Sequence, residues 1–227
     1  MSDLANRLGE IQQQVSEASQ RNNREEPLLI VVTKNFPVEL PVELSALGIR
    51  HLGENRVQEA SEKYRQFSEK VSATGHQWHL IGQLQTNKVK QALEFASSIH
   101  SLDRPSLLNE IAKRIQDRVT PLDVFIQVNL TADSQRGGVV PTELIRFADE
   151  VQAVPELRLA GLMAVASLGV DPNFEFERIA KMSQQLQVNH PKAKSLSIGM
   201  SEDFLQAIDF GATHLRIGSA ITGKRVI

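Results

Sequence analysis

Three observations predict an α/β fold in which strands and helices alternate and close into a parallel (β/α)8 barrel. Short runs rich in Val, Ile and Leu recur eight times along the 227 residues. Segments with apolar residues at three- and four-residue spacings separate them, the rhythm of repeated βα units. The first and fifth runs are apolar at successive positions, as expected of strands covered on both faces. An open doubly wound sheet would use the same rhythm, but eight units in one domain close most simply into a barrel of the TIM type. A chain of this length suits one large domain, so residues 1–227 are expected as a single unit.

The elements follow in order. LANRLGEIQQQVSEA near the start is amphipathic and predicts an extra N-terminal helix, whose apolar stripe must cap a sheet face or a barrel end. The polar QRNNREEP at 20–27 reads as a connection. The strand runs are LLIVVTK (28–34), the short IRHLGEN (49–55), QWHLIG (77–82), SSIHSLD (97–103), DVFIQVNL (123–130), LRLAGLMAV (157–165), AKSLSIG (193–199) and THLRIGSA (213–220). Between the fifth and sixth, PTELIRFADEVQAV carries Leu144, Ile145, Ala148, Val151 and Val154 at helical spacing, with Pro141 where a first turn tolerates it. RPSLLNEIAKRI and FEFERIAKMSQQL show similar stripes after the fourth and sixth runs.

Composition removes several classes of function. Twenty-five basic against 27 acidic residues give a formal charge of −2, which offers no electrostatic footprint for nucleic acid or an anionic membrane. Nine Phe, one Trp and one Tyr supply few rings for stacking on bases. With no cysteine there is no thiolate nucleophile, disulfide or Cys-ligated zinc, which fits a reducing compartment and makes the cytoplasm the expectation. No apolar run approaches the ~20 residues a membrane span needs, and MSDLANRLGEIQQQ lacks the basic start and apolar core of a secretory signal.

In a barrel, function belongs at the C-terminal strand ends, and the last two ends carry anion-binding chemistry. Gly199-Met200-Ser201 offers a sharp turn and a natural N-cap hydroxyl, and Gly218-Ser219 adds backbone N–H groups and a second hydroxyl. Glu202 and Asp203 would then occupy the first helical turn and must point outward from any phosphate. Each motif alone is also an ordinary cap or turn. Their joint occurrence in the two predicted phosphate loops favours a ligand. Lys34 ends the first run, where most lysines are simply solvated. Here it would face the same mouth, with a pKa lowered by its apolar strand and by the cation of Arg216, leaving an amine able to form a Schiff base. Lysine, phosphate cradle and arginine together fit pyridoxal 5′-phosphate: Arg216 would donate to the pyridine nitrogen, Asn55 would bond the phenolic oxygen, and Met163 would lie beside the ring.

These residues sit in stretches that resemble the pyridoxal phosphate homeostasis protein family: VVTKNFPVE, HLGENRVQEA, WHLIGQLQTNK, IHSLD, FIQVNL, GLMAV, LSIGMSEDF and THLRIGSAI, in order over nearly the whole chain. The resemblance implies an alanine-racemase-like barrel, fold type III among pyridoxal phosphate proteins. It implies cofactor joined to Lys34, phosphate held around Ser201, Gly218 and Ser219, and Arg216 at the pyridine nitrogen. It also implies a part in vitamin B6 balance and amino- and keto-acid metabolism, with pyridoxal phosphate-dependent apo-enzymes as partners. One departure is visible: Ser134-Gln135-Arg136-Gly137 stands where many relatives carry a Ser-Lys-Ser/Thr-Gly stretch.

Weaker patterns have plainer readings. Asn87 and Lys88 open a helix after the third run, and an exposed helix start accounts for them. His76-x-x-His79 lacks further ligands at metal spacing, so His79 is expected to hydrogen-bond at its strand end and no metal is assigned. A racemase needs a second acid/base group opposite the lysine, which in that family is a tyrosine from a second domain and partner subunit. The only tyrosine here, Tyr64, falls in the helix after the second run. The expectation is therefore a monomeric carrier or regulator of pyridoxal phosphate, with a weak racemase or a Schiff-base lyase acting on a phosphosugar as alternatives.

Overall fold

The computed structural model describes residues 2–72, 75–116, 118–131, 133, 136–167 and 169–223. Among them eight parallel strands close into a barrel in sequence order: β1 (Leu28–Val32), β2 (His51–Glu54), β3 (Gln77–Leu80), β4 (Ser98–Leu102), β5 (Leu122–Gln127), β6 (Leu157–Met163), β7 (Ser195–Ser197) and β8 (His214–Ile217). Closure is made by β8 against β1, with Leu28 opposite His214 and Ile30 opposite Arg216. All eight predicted runs are strands. Several stop short of the predicted C-terminal end because the chain there leaves the ladder and forms the mouth.

Helices cover the outside: α1 (Asp3–Arg21), α2 (Glu39–Ala46), α3 (Val57–Lys70), α4 (Val89–Leu93), α5 (Pro105–Arg114), α6 (Leu144–Gln152), α7 (Pro172–Asn189), α8 (Phe204–Asp209) and α9 (Ser219–Thr222). The extra helix α1 starts where Ser2 accepts a hydrogen bond from Ala5 N, and it buries Leu4, Leu8, Ile11, Val15 and Ala18. Its neighbours are α8 and α9. It therefore lies in the outer ring, where the last βα unit supplies only the four-residue α9, and Arg7 Nε donates to Ile221 O at 2.7 Å to hold it there.

The layer between strands and helices is apolar. Trp78 on β3 meets the edges of Phe67 and Tyr64 on α3 at 5.5 and 5.7 Å between ring centroids. Between β6 and β7 the backbones come so close that a Cβ on Gly161, whose φ is 155°, would lie 1.8 Å from Ser195 O. Only glycine fits that strand position.

The bore of the barrel is different. His100 on β4 reaches Ser197 on β7, strands that are not neighbours, so the two side chains meet across the interior. Ser98, His100, Ser197 and Arg216 are buried there, and Phe125 stacks on His100 at 4.2 Å. A barrel core usually filled by branched apolar layers is here substantially polar.

Candidate functional site

At the C-terminal mouth lies a cavity of about 640 Å³, within the size range of small-ligand sites. Its wall includes Lys34 just beyond β1, Asn55 directly after β2, Met200 and Ser201 from the turn after β7, and Arg216, Gly218 and Ser219 from β8 and beyond. Seven of the nine residues singled out in the sequence thus share one cavity. Met163 and Gly199 do not line it. Met163 is buried in the barrel wall, paired in register with Gln127 and Ser197, and Val32, Ile81, Val165 and Ala166 supply the apolar surface expected of it. Gly199 has φ 89° and turns the chain as expected, but its α-carbon faces the protein, where a Cβ would lie 2.7 Å from that of Ala207.

The anion cradle is built from two turns. Gly218 N and Ala220 N both donate to Ser201 Oγ at 3.3 Å, so two backbone donors and a hydroxyl converge on one point. These bonds are long, and a phosphate oxygen offers both amides a stronger acceptor. The sequence named the N–H groups of Gly218 and Ser219; the geometry selects Gly218 and Ala220. Ser201 is not the N-cap of α8. That helix begins at Phe204, and the turn before it is closed by Asp203, whose Oδ1 accepts from Met200 N at 2.6 Å. Asp203 therefore does not point outward as expected: its half-buried carboxyl folds back over its own turn, and burial raises its pKa. Both Asp203 and Glu202 contribute to the cavity wall.

Arg216 forms the floor. It is 4% exposed and donates from Nη1 to Ser197 O and Ser197 Oγ, both at 2.6 Å, and from Nη2 to Ala164 O at 2.9 Å. Burial pushes its pKa down to about 10, which leaves it a cation at neutral pH. Its remaining donors can serve a ring nitrogen in the cavity. Asn55 brings an unmet group as well: its Oδ1 is buried with no hydrogen-bond partner. The backbone there is fixed by Gly82, at which a Cβ would lie 2.2 Å from Asn55 O. The amide can present oxygen or nitrogen by rotation, so it suits a phenolic hydroxyl in either protonation state.

Lys34 lines the same cavity as Ser201, the juxtaposition on which the cofactor reading depends. It is exposed, so its apolar strand does not supply the expected desolvation. The chain leaves the sheet at Thr33 and turns through Asn35, whose φ is 64°. A buried cluster holds this turn from below. Lys63, on α3, donates to Thr33 O at 2.8 Å, to Glu54 Oε1 at 2.6 Å and to Glu59 Oε1 at 3.1 Å. Thr33 Oγ1 donates to the same Glu54 oxygen, and Asn35 N donates to Glu59. Glu54 is wholly buried, and burial raises its pKa despite the ion pair with Lys63. The acid in HLGEN is the one sign of this cluster legible before tertiary contacts are known.

Other expectations fall elsewhere. Asn87 and Lys88 belong to a 3-10 turn at 86–88 outside the cavity wall. His76 contacts Ser45, whereas His79 is hydrogen-bonded inside the bore, so the two do not converge. Tyr64 packs against Trp78 in the outer layer and cannot face Lys34 across the cavity. Ser134 and Gln135 lie outside the described residues; Arg136 donates to Ser167 Oγ, a cavity-wall residue, at 2.8 Å. The wall segment around Val165 to Pro172 was not singled out from the sequence, although its position directly after the sixth run was the available signal.

Comparison with known proteins agrees with this fold. The family model for the N-terminal domain of alanine racemase matches residues 7–226. The pyridoxal phosphate homeostasis protein of Escherichia coli K12 is 36% identical over 234 residues, covering 99% of this chain and 98% of that protein. That of Vibrio cholerae is 34% identical over 230 residues, with 99% and 98% covered. PipY of Synechococcus elongatus, solved with pyridoxal phosphate bound, superposes with a TM-score of 0.85 at 30% identity, covering 97% of this chain and all of that one. Alanine racemase of Clostridium difficile shares the fold, with a TM-score of 0.72 at 15% identity, over 57% of its own chain. With near-complete coverage in both directions and a shared barrel, the chain belongs to the pyridoxal phosphate homeostasis protein family.

Proposed function

We propose that this protein binds pyridoxal 5′-phosphate at the barrel mouth, held through Lys34, and serves vitamin B6 homeostasis and the balance of amino and keto acids. The observation that carries the reading is the convergence on one cavity of Lys34, the Arg216 guanidinium and the cradle of Ser201, Gly218 and Ala220. When bound, pyridoxal phosphate supplies an aldehyde that a lysine amine can take up as a Schiff base, and a ring that can accept charge. The chain's own residues do the rest. The two amides and Ser201 hold the phosphate, Asn55 offers its unpaired amide to the phenolic oxygen, and Arg216 donates to the ring nitrogen. Because a guanidinium cation does not surrender its proton readily, the ring nitrogen stays unprotonated and the ring is a weak electron sink. Val165 and Ala166 give one side of the cavity an apolar wall.

This reading favours a carrier that passes the cofactor to pyridoxal phosphate-dependent apo-enzymes, as a cytoplasmic monomer with no nucleic-acid or membrane partner. No described helix is long and apolar enough to cross a membrane. The likeness to racemases bears on the fold, and with Tyr64 in the outer layer the cavity has no tyrosine to serve the face opposite Lys34. Borohydride reduction of protein loaded with pyridoxal phosphate, followed by peptide mass spectrometry, is expected to give a phosphopyridoxyl adduct on Lys34. An adduct on another lysine, or none, refutes the proposal. Rapid α-proton exchange on amino acids in deuterated water would replace the carrier with a racemase, and trapping of a phosphosugar on cofactor-free protein would replace it with a lyase.

A further inference from the structure

Six buried or half-buried side chains form one continuous line through the bore. Arg216 Nη1 lies 2.6 Å from Ser197 Oγ, and Ser197 Oγ lies 2.9 Å from His100 Nδ1. His100 Nε2 lies 3.0 Å from Ser98 Oγ and 3.1 Å from His79 Nδ1, and Ser98 Oγ lies 2.6 Å from His79 Nδ1. His79 Nε2 lies 3.0 Å from His51 Nδ1, on the half-buried residue that begins β2 at the opposite end of the barrel. The site described above uses only the first member.

The direction of every bond in this line follows from its first. A guanidinium donates and never accepts, so Ser197 Oγ must accept from Arg216. Ser197 is fully buried, and its own proton needs an acceptor; His100 Nδ1 is the one offered, since a buried hydroxyl left unpaired costs about 1–3 kcal/mol. His100 then carries its proton on Nε2 and donates toward Ser98 and His79. His79 Nδ1 accepts from both, its proton sits on Nε2, and it donates to His51 Nδ1. Had the line run the other way, His100 and Arg216 would both donate to Ser197, stranding its hydroxyl proton in the interior.

We propose that this one-way hydrogen-bond chain is a positioning device for the bound ligand: Ser197 and His100 orient Arg216 and set how strongly it donates to the ring nitrogen. The inference rests on the cofactor reading above and extends it from the cavity to the far end of the barrel. Each donor along a chain makes the group behind it a better acceptor. Ser197, by donating to His100, therefore draws harder on the Arg216 N–H that faces it and holds the guanidinium in the orientation that aims its remaining donors at the ligand. The histidines must be neutral for the line to keep its direction. Burial holds the pKa values of His79 and His100 well below the usual imidazole range, and neighbouring His51, His214 and Arg216 push the same way.

Two measurements test the chain. In ligand-free protein labelled with nitrogen-15 in histidine, two-bond proton–nitrogen correlation at neutral pH is expected to find His79 and His100 neutral and protonated at Nε2. Protonation of either at Nδ1, or an imidazolium, overturns the direction and the proposal. In protein loaded with pyridoxal phosphate, His100→Phe removes the acceptor without touching the cavity wall. The absorption maximum of the bound ligand is expected to move and its affinity to fall roughly tenfold, the scale of one hydrogen bond. If that variant does not fold, Ser197→Ala makes the same cut one bond earlier. Unchanged spectrum and affinity in the folded variant, with the adduct still forming on Lys34, overturn the chain's role and leave the cofactor reading intact. Loss of the Lys34 adduct in the unaltered protein overturns both.

Discussion

The buried ion pair beneath the Lys34 turn gives the sharpest stability test. Lys63→Met keeps the length of the side chain and removes its ammonium. Glu54, whose side chain is 1% exposed, would then hold a carboxylate in the interior with only the Thr33 hydroxyl for company, and its Oε2 already has no hydrogen-bond partner. Breaking one side of such a pair costs about 3–5 kcal/mol, because it leaves an uncompensated charge. For a domain of this size each kcal/mol moves Tm by about 2–4 °C, so the variant should melt about 6–20 °C lower. The deficit depends on pH in a definite sense. Glu54 has a folded-state pKa raised by burial, and losing Lys63 raises it further. A group raised in this way favours the folded state below its unfolded pKa and loses that contribution as pH rises through the folded value. The gap between parent and variant should therefore be widest on the alkaline side of neutral and shrink as the solution is made acidic. Urea unfolding across that range measures it, and the double variant Glu54→Gln, Lys63→Met should recover most of the loss. A Tm within about 2 °C of the parent, or a gap that widens in acid, would refute the account of the cluster.

Further outcomes follow from other parts of the molecule. Gly161→Ala places a Cβ 1.8 Å from Ser195 O at a positive φ, so β6 and β7 must part; circular dichroism melting should show a loss of more than about 10 °C or no folded protein. Ser201→Ala removes one hydroxyl from the phosphate cradle. It should weaken pyridoxal phosphate binding about tenfold in a fluorescence titration while leaving Tm nearly unchanged, since the hydroxyl's bonds in the free protein are long. His214 has its pKa pushed from 6.5 down to about 4, chiefly by burial. Its contribution to stability is full above 6.5 and is lost as pH falls toward 4, by no more than about 3 kcal/mol. Urea midpoints measured over that window should fall, and His214→Gln should flatten the slope.

The strand rhythm made the barrel legible because every run is dense in Val, Ile and Leu between polar connections. The runs overshoot where Val128 to Leu130 and Ala164 to Val165 continue the apolar pattern past the last paired residue and build the rim. Lys34, Ser201 and Arg216, which line one cavity, stand out in the sequence as candidates because the barrel rule points to strand ends, where charged and hydroxyl residues are conspicuous. Met163 was misplaced by the same rule: it ends its strand, but it lies in the wall between neighbouring strands and not at the cavity. The polar bore was missed although its signal is present. Ser98 and His100, and likewise His214 and Arg216, alternate at two-residue spacing, which in a strand puts both on one face. The Lys63 cluster was beyond reach, because a lysine in a helix reads as solvated until tertiary contacts bury it.

The place of α1 in the outer ring bears on biosynthesis. This helix leaves the ribosome before any strand of the barrel, while α8 and α9, against which it packs, are translated only after β7. Its greasy stripe must therefore stay naked on the nascent chain, or be shielded by a chaperone, until α8 and α9 have emerged.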